Sequence, residues 1–241
     1  MAKVKKLSLI LILVLSLFVS TSCITLVESQ DTKVINDFTT NGIITATFSV
    51  GVHKRLNFRN EKVAQGSGIV YSKQDGENGA TNYYLLTNNH VISSGTIYSV
   101  KDCFGSDYTA TLIKNDPNYD LAILKFTAVE DYKILNFTQT DVEVGDKVIS
   151  VGSPNGQLNA VTFGKVKAYS YVTIDGGEDD STVKFKVIEH SAPIYSGSSG
   201  GVLLNYNYEI CGVNYATYAE DGVFVSGYAV STSKVLEFIN G

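Results

Sequence analysis

From residue 43 onward, short runs rich in Val, Ile, Thr, Tyr and Phe alternate with clusters of Gly, Asn, Asp and Ser. The runs fall at 43–52, 68–71, 83–87, 97–100, 108–113 and 121–126, then, after a charged stretch at 127–143, at 147–152, 161–171, 183–188, 201–204, 209–215 and 223–230. Runs this short, bounded by turn residues at regular spacing, predict strands. Six before the charged stretch and six after it predict an all-β chain of two six-stranded antiparallel barrels, about 42–130 and 140–230. The last segment, 231–240, opens on Ser231 and Thr232 and carries Val235, Leu236 and Phe238, which predicts a short C-terminal helix.

The first 41 residues are patterned differently. Lys3, Lys5 and Lys6 precede an apolar run at 7–19, then the small residues Ser20, Thr21 and Ser22, then Cys23. A basic start, an apolar stretch too short to cross a bilayer comfortably and a small-residue close make residues 1–22 a secretory signal. Cys23 after three small residues resembles the lipidation site of bacterial lipoproteins and places the chain on the outer face of the cell membrane. Ser20 stands where such sites usually hold an aliphatic residue, so cleavage and secretion without lipidation is the alternative. Residues 23–41 are polar and read as a tether, leaving 42–241 as the folded domain.

Composition narrows the function classes. Hydrophobic residues make up 44% and charged ones 18%, which suits a soluble globular core rather than a disordered or multi-spanning chain. Removing residues 1–22 takes away three lysines and no carboxylate, which carries the formal net charge from −5 to −8. Nucleic acid is therefore excluded as a partner. With Cys23 at the anchor, only Cys103 and Cys211 remain, so no dense disulfide framework holds the fold. Both sit in or beside apolar runs and read as small core residues, with their pairing left open.

Three segments carry candidate chemistry. Thr87, Asn88, Asn89, His90 and Val91 put a histidine straight after an apolar strand, at the start of a helical turn, a fixed platform for a general base. Asp120 precedes the apolar run Leu121, Ala122, Ile123 and Leu124, so its carboxylate is held partly buried, where it orients an imidazole and stabilises the imidazolium. Gly197, Ser198, Ser199, Gly200 and Gly201 form a tight glycine-flanked turn that presents a hydroxyl and converging backbone N–H groups. The order His, Asp, Ser separates the arrangement from the subtilisin and α/β-hydrolase orders.

With those residues on the page, the chain resembles chymotrypsin-fold serine proteases, the HtrA (Deg) proteases in particular. The likeness runs from about residue 43 to the end, through Gly66, Ser67, Gly68, Ile69 and Val70, through Val144, Gly145 and Asp146, through Gly152, Ser153 and Pro154, and through Gly212, Val213 and Asn214. It implies a serine endopeptidase acting on proteins or peptides through an acyl-enzyme, with His90 as base, Asp120 as its orienter and Ser199 as nucleophile. It also implies an oxyanion hole at Gly197 and Ser199 with Ser198 close by, and a substrate pocket at Tyr195, Asn214, Tyr215 and Tyr228. No metal or cofactor is expected.

The departures matter as well. Ser198 replaces the family's usual Asn, and only Ser199 has the Gly-Gly that follows the attacking residue. No PDZ module follows residue 241, and the segment 53–65 is short beside the assembly loop of some relatives, so oligomeric state does not carry over. Glutamyl endopeptidases carry a His where this chain has Asn214, which argues against a strict Glu preference and leaves a small or medium apolar side chain as the default. The remaining histidine, His53, carries no candidate role. His190 precedes Ser199 by nine residues but lies in a strand-like run with no Asp-led strand to pair with, so it reads as structural. Glu178, Asp179 and Asp180 lack the spacing of a calcium loop and read as a solvated hairpin tip. Asn136, Phe137 and Thr138 form a glycosylation sequon that a bacterial setting leaves unused. Two other readings remain: a catalytically silent surface-binding protein, whose mark would be a lost triad member, and a narrow-specificity glutamyl or exfoliative type of protease.

Overall fold

A computed structural model describes residues 30–172 and 183–241. The leader, Cys23 and the acidic cluster at 178–180 lie outside the described residues. The first described element is helix α1 (Gln30–Thr40), in the stretch expected to be a polar tether.

The strands are those the periodicity predicts. β1 (Thr47–Leu56), β2 (Arg59–Asp75), β3 (Thr81–Thr87), β4 (Ile97–Lys101), β5 (Asp107–Asp116) and β6 (Leu121–Ala128) close the first barrel in the order β1-β2-β3-β6-β5-β4. β7 (Lys147–Gly152), β8 (Ala160–Ser170), β9 (Val187–His190), β10 (Val202–Leu204), β11 (Ile210–Glu220) and β12 (Val223–Ser231) close the second as β10-β11-β12-β9-β8-β7. Every strand pair is antiparallel. Closure removes the open edges that isolated sheets expose.

Two hairpins run further than the hydrophobic pattern reveals. β1 and β2 meet at Asn57 and Phe58, with φ of 46° and 69°, the left-handed pair of a two-residue hairpin turn. β11 and β12 meet at Asp221 and Gly222, with φ of 49° and 77°. β9 lies later than expected, starting at Val187 rather than 183.

The interior of barrel 1 gathers Phe48, Val50, Val52, Leu85, Leu124 and the rings of Tyr83, Phe126 and Tyr132. Tyr132 comes from the segment after β6. Its hydroxyl donates to Asp102 Oδ2 at 2.8 Å, while its N–H donates to the Tyr83 hydroxyl at 3.2 Å. Barrel 2 packs Val148, Val166, Ile188, Leu203, Cys211 and Ala229. Cys211 is buried in the core as expected, but Cys103 is only half-buried in the turn between β4 and β5, where the chain reverses at the surface; the two do not pair.

Helix α2 (Asn89–Ile92) follows β3, and helix α3 (Thr232–Asn240) ends the chain with Val235 and Phe238 buried. At the start of α3, Asp141 accepts the Ser233 N–H at 2.9 Å and its hydroxyl at 2.6 Å. A carboxylate there offsets the exposed amides of the first turn.

Candidate active site

Asp120 sits in the tight turn between β5 and β6 with φ of 49°, a left-handed conformation that a side chain adopts at some cost. That turn aims the carboxylate inward, where none of it is exposed. Both oxygens are used on one neighbour. Oδ1 accepts the backbone N–H of His90 at 2.7 Å, and Oδ2 lies 2.6 Å from His90 Nδ1. The Asp120 carbonyl accepts the Asn89 N–H at 3.1 Å and the Asn88 side-chain amide at 2.9 Å. Asp120 thus caps α2 from a distant turn and fixes the imidazole in the same act.

An ionised carboxylate only accepts hydrogen bonds, so Nδ1 carries the proton and Nε2 is left as an acceptor. Burial pushes the Asp120 carboxyl above the usual carboxylate range, and the bonds and charge of His90 offset only part of that rise. The His90 side chain keeps 28% of its surface exposed, so the free edge of the ring can meet a reactant. The Tyr215 ring stands edge-on to it, 6.4 Å between centroids.

The glycine-flanked serine loop lies between the barrels. The Ser199 carbonyl accepts the Ser67 N–H at 2.8 Å, and Gly200 N–H donates to the Asn214 carbonyl at 2.9 Å. Gly200 has φ of 82°, and a Cβ there would lie 2.2 Å from the Ser67 carbonyl oxygen, so only glycine fits. Gly66 is the point where the His and Ser segments meet. A Cβ on it would come within 2.6 Å of Val91 Cγ1 on α2 and 3.0 Å of the Ser199 carbonyl oxygen.

Within the loop the three serines differ. Ser198 is buried, its hydroxyl accepts the Tyr195 N–H at 3.2 Å, and its own N–H donates to the Tyr195 carbonyl at 2.8 Å. Ser196 is exposed and uses its carbonyl on the Asn155 N–H at 2.9 Å. Ser199 is half-buried. Among the described residues, the N–H groups of Gly197 and Ser199 have no acceptor, whereas that of Ser198 is engaged inside the loop.

Ser67 was not singled out from sequence, yet it braces this loop. Its hydroxyl donates to the Gly197 carbonyl at 2.7 Å and accepts the Ser153 N–H at 2.7 Å. No sequence signal marks it beyond its place between Gly66 and Gly68.

The expected pocket residues do not gather on one surface. Tyr195 is exposed and tilted against Phe224, Tyr228 is half-buried on β12, and Tyr215 is buried beside His90. Asn214 is fully buried and turns inward, donating to Ser150 Oγ at 2.8 Å. His190 is also fully buried in barrel 2, and neither ring nitrogen has a partner among the described residues. Burial pushes its pKa down to about 4, so it is a neutral interior group, far from the Asp–His pair in role. A cavity of about 400 Å³ beneath the loop is lined by Ser150, Ile194 and Ser198 among others.

Comparison with known proteins accords with this geometry. The profile described as "Trypsin-like peptidase domain" matches residues 66–213. The chain is 32% identical over 173 residues to "Serine protease Do-like HtrA" of Bacillus subtilis, covering 70% of this chain and 37% of that one. It is 35% identical over 181 residues to the "Probable periplasmic serine endoprotease DegP-like" of Brucella suis, covering 74% and 33%. To "Periplasmic serine endoprotease DegP" of Escherichia coli it is 29% identical over 175 residues, covering 72% and 34%. The chain spans about a third of the length of these curated relatives. With two closed six-stranded barrels, a buried Asp–His pair and a glycine-framed serine loop, the chain belongs to the trypsin-like peptidase family.

Proposed function

We propose that the chain is a serine endopeptidase in which Ser199 attacks the scissile carbonyl and His90 takes the Ser199 proton. His90 then returns that proton to the leaving amine, and water releases the acyl-enzyme by the same route. Asp120 holds the imidazole with its acceptor nitrogen outward and stabilises the imidazolium. The N–H groups of Gly197 and Ser199 receive the oxyanion, each worth about 10²–10³ in rate. The observation that carries this reading is the two-oxygen grip of Asp120 on His90, 2.7 Å to the backbone and 2.6 Å to the ring, in a site whose neighbouring loop offers two uncommitted N–H donors. Substrates are polypeptides. Tyr195 and the cavity beneath the loop border the acyl side, where an apolar residue is the default.

Residues 1–22 are the export signal, 23–41 join Cys23 to the enzyme, and 42–241 are the protease domain at the outer face of the membrane. Support comes from the basic-apolar-small pattern before Cys23 and from two relatives named as periplasmic. No helix among the described residues is long and apolar enough to cross a membrane.

The test is labelling of the full chain with a fluorophosphonate. Ser199→Ala abolishes labelling and lowers peptide turnover about 10⁵–10⁶-fold, while Ser198→Ala is still labelled. Labelling that persists in Ser199→Ala overturns the assignment. Fractionation tests the anchor: Cys23→Ala moves the protein from membrane to supernatant.

A further inference from the structure

Barrel 1 carries a positive outer face beside the nucleophile loop. Phe48, Val50 and Val52 of β1 point into the core, so the two-residue period puts Ser49, Gly51, His53 and Arg55 on the opposite face. Across the sheet, His53 pairs with Lys62 and Gly51 with Gln65 of β2, while Gly51 pairs with Ser99 and Ser49 with Lys101 of β4. A cavity of about 300 Å³ opens on this face, walled by all of these residues except Arg55, by Asp107, and by Gly156 and Leu158 from the loop after β7.

Two lysines and one carboxylate line it. Lys101 is met by Asp107 at 3.1 Å, but among the described residues Lys62 has no carboxylate partner. Lys62 donates to Gln65 Oε1, which turns the other end of that amide away, and Gln65 Nε2 is buried with no acceptor. His53 Nε2 lies 3.2 Å from Ser99 Oγ. On a chain of net charge −5, a cavity edged by the uncountered Lys62, a second lysine and an orphaned amide donor calls for an anion.

Its position relates it to the reaction. Gln65 is two residues before Ser67, whose N–H holds the Ser199 carbonyl, and Gly156 follows Asn155, whose N–H holds the Ser196 carbonyl. On the other side of Ser199, β10 pairs with β11 only as far as Val213 and the loop holds both backbone groups of Asn214, which leaves β11 an open edge past that residue. A substrate whose acyl part extends along that edge crosses Ser199 and leaves over β2. At about 3.3 Å per residue, the cavity lies within reach of the second to fourth residues past the cleaved bond.

We propose that this cavity is the leaving-group subsite and that it takes a carboxylate, from an acidic side chain or from the free C-terminus of the substrate. The proposal rests on the proteolytic reading above and adds the substrate class.

The test uses the full chain and matched quenched peptides that carry Glu, Gln or Lys at the second, third or fourth residue past the cleaved bond, each with a free or amidated C-terminus. Glu exceeds Lys in kcat/KM by about five- to tenfold at low salt, mainly through KM. The difference shrinks above about 0.5 M salt, and Lys62→Glu reverses the order. Preference in the amidated series assigns the side chain; preference in the free-acid series alone assigns the terminus. Equal rates for Glu and Lys, or a Glu preference that survives both Lys62→Glu and Lys101→Glu, overturn the proposal. A chain that cleaves no peptide sinks the proteolytic reading instead, and equilibrium binding of the same peptides to the Ser199→Ala protein then decides the subsite. Tighter binding of Glu that Lys62→Glu removes supports it, and equal binding overturns it.

Discussion

Barrel 1 is filled with rings: Phe48, Tyr83, Tyr108, Phe126 and Tyr132 stack, tilt or stand edge-on with centroids 4.9–6.3 Å apart. Barrel 2 is filled with Val, Ile and Leu, and sets fully buried polar side chains among them. The contrast extends to hydrogen bonds. In barrel 1 the Tyr83 hydroxyl donates to the Glu130 carbonyl at 2.8 Å and that of Tyr132 to Asp102, so its aromatic core is satisfied. In barrel 2 both nitrogens of His190 and Oδ1 of Asn214 lack partners among the described residues. His90 and Asp120 therefore stand on a closed barrel whose ring hydroxyls are paired, although Asn88 Oδ1 and Gln65 Nε2 at its edge have no partner among the described residues. The glycine-flanked serine loop stands on a barrel whose buried imidazole must stay neutral.

The largest effect is expected where barrel 1 meets the chemistry. Asp120→Asn presents an amide to the ring, favours the wrong imidazole tautomer and lowers kcat about 10⁴-fold with the fold retained; a loss that tracks unfolding in circular dichroism would remove Asp120 from the mechanism. Next, Phe126→Ala opens a void among the rings and costs about 3–5 kcal/mol in chemical denaturation, whereas Ile188→Val in barrel 2 costs about 1 kcal/mol. Similar losses at the two sites would erase the difference in packing.

Third comes acid sensitivity. His190 has a folded pKa of about 4, below its ordinary 6.5, so the unfolded chain binds the extra proton first. The stability this gives is present above pH 6.5 and is lost as pH falls toward 4, up to about 3 kcal/mol. His190→Leu removes that slope and, by deleting an unpartnered polar group, leaves neutral-pH stability equal or higher. An unchanged acid slope in denaturation from pH 7 to 4 would place the sensitivity elsewhere. The smallest effect is Ser67→Ala, which frees the Gly197 carbonyl and the Ser153 N–H and lowers kcat about tenfold, with KM little changed.

Much of this architecture was legible because burial follows the strand period. All twelve strands, and α3 with Val235 and Phe238, stand where apolar residues recur. What escaped were the parts that face water. Residues 53–56 and 59–65 extend the β1–β2 hairpin, and 216–220 extend β11, but both faces are largely exposed there and no alternation marks them. At 183–188, Val183 and Phe185 mimic a strand that pairs only from Val187. The stretch around α1 is polar enough to read as coil.

At the site, the meeting of His90 and Asp120 was legible because a His straight after one apolar strand and an Asp straight before another sit at the same end of the paired strands β3 and β6. Ser67 was not, because a buried serine between glycines has no pattern of its own. Asn214 was expected at a pocket surface. Its backbone does flank the loop, but its side chain is turned to Ser150 by a hydrogen bond that only the closed barrel creates.

Tyr132 also sets where this molecule can be divided. It belongs to the segment between the barrels, yet it plugs barrel 1 and ties the turn at Asp102 to the ring of Tyr108. A fragment ending at Ala128 has every strand of the first barrel and none of its stopper. During synthesis, barrel 1 accordingly cannot seal until the chain has emerged past residue 132. The natural seam for excising or grafting either half lies after that tyrosine, inside the stretch that reads as mere linker.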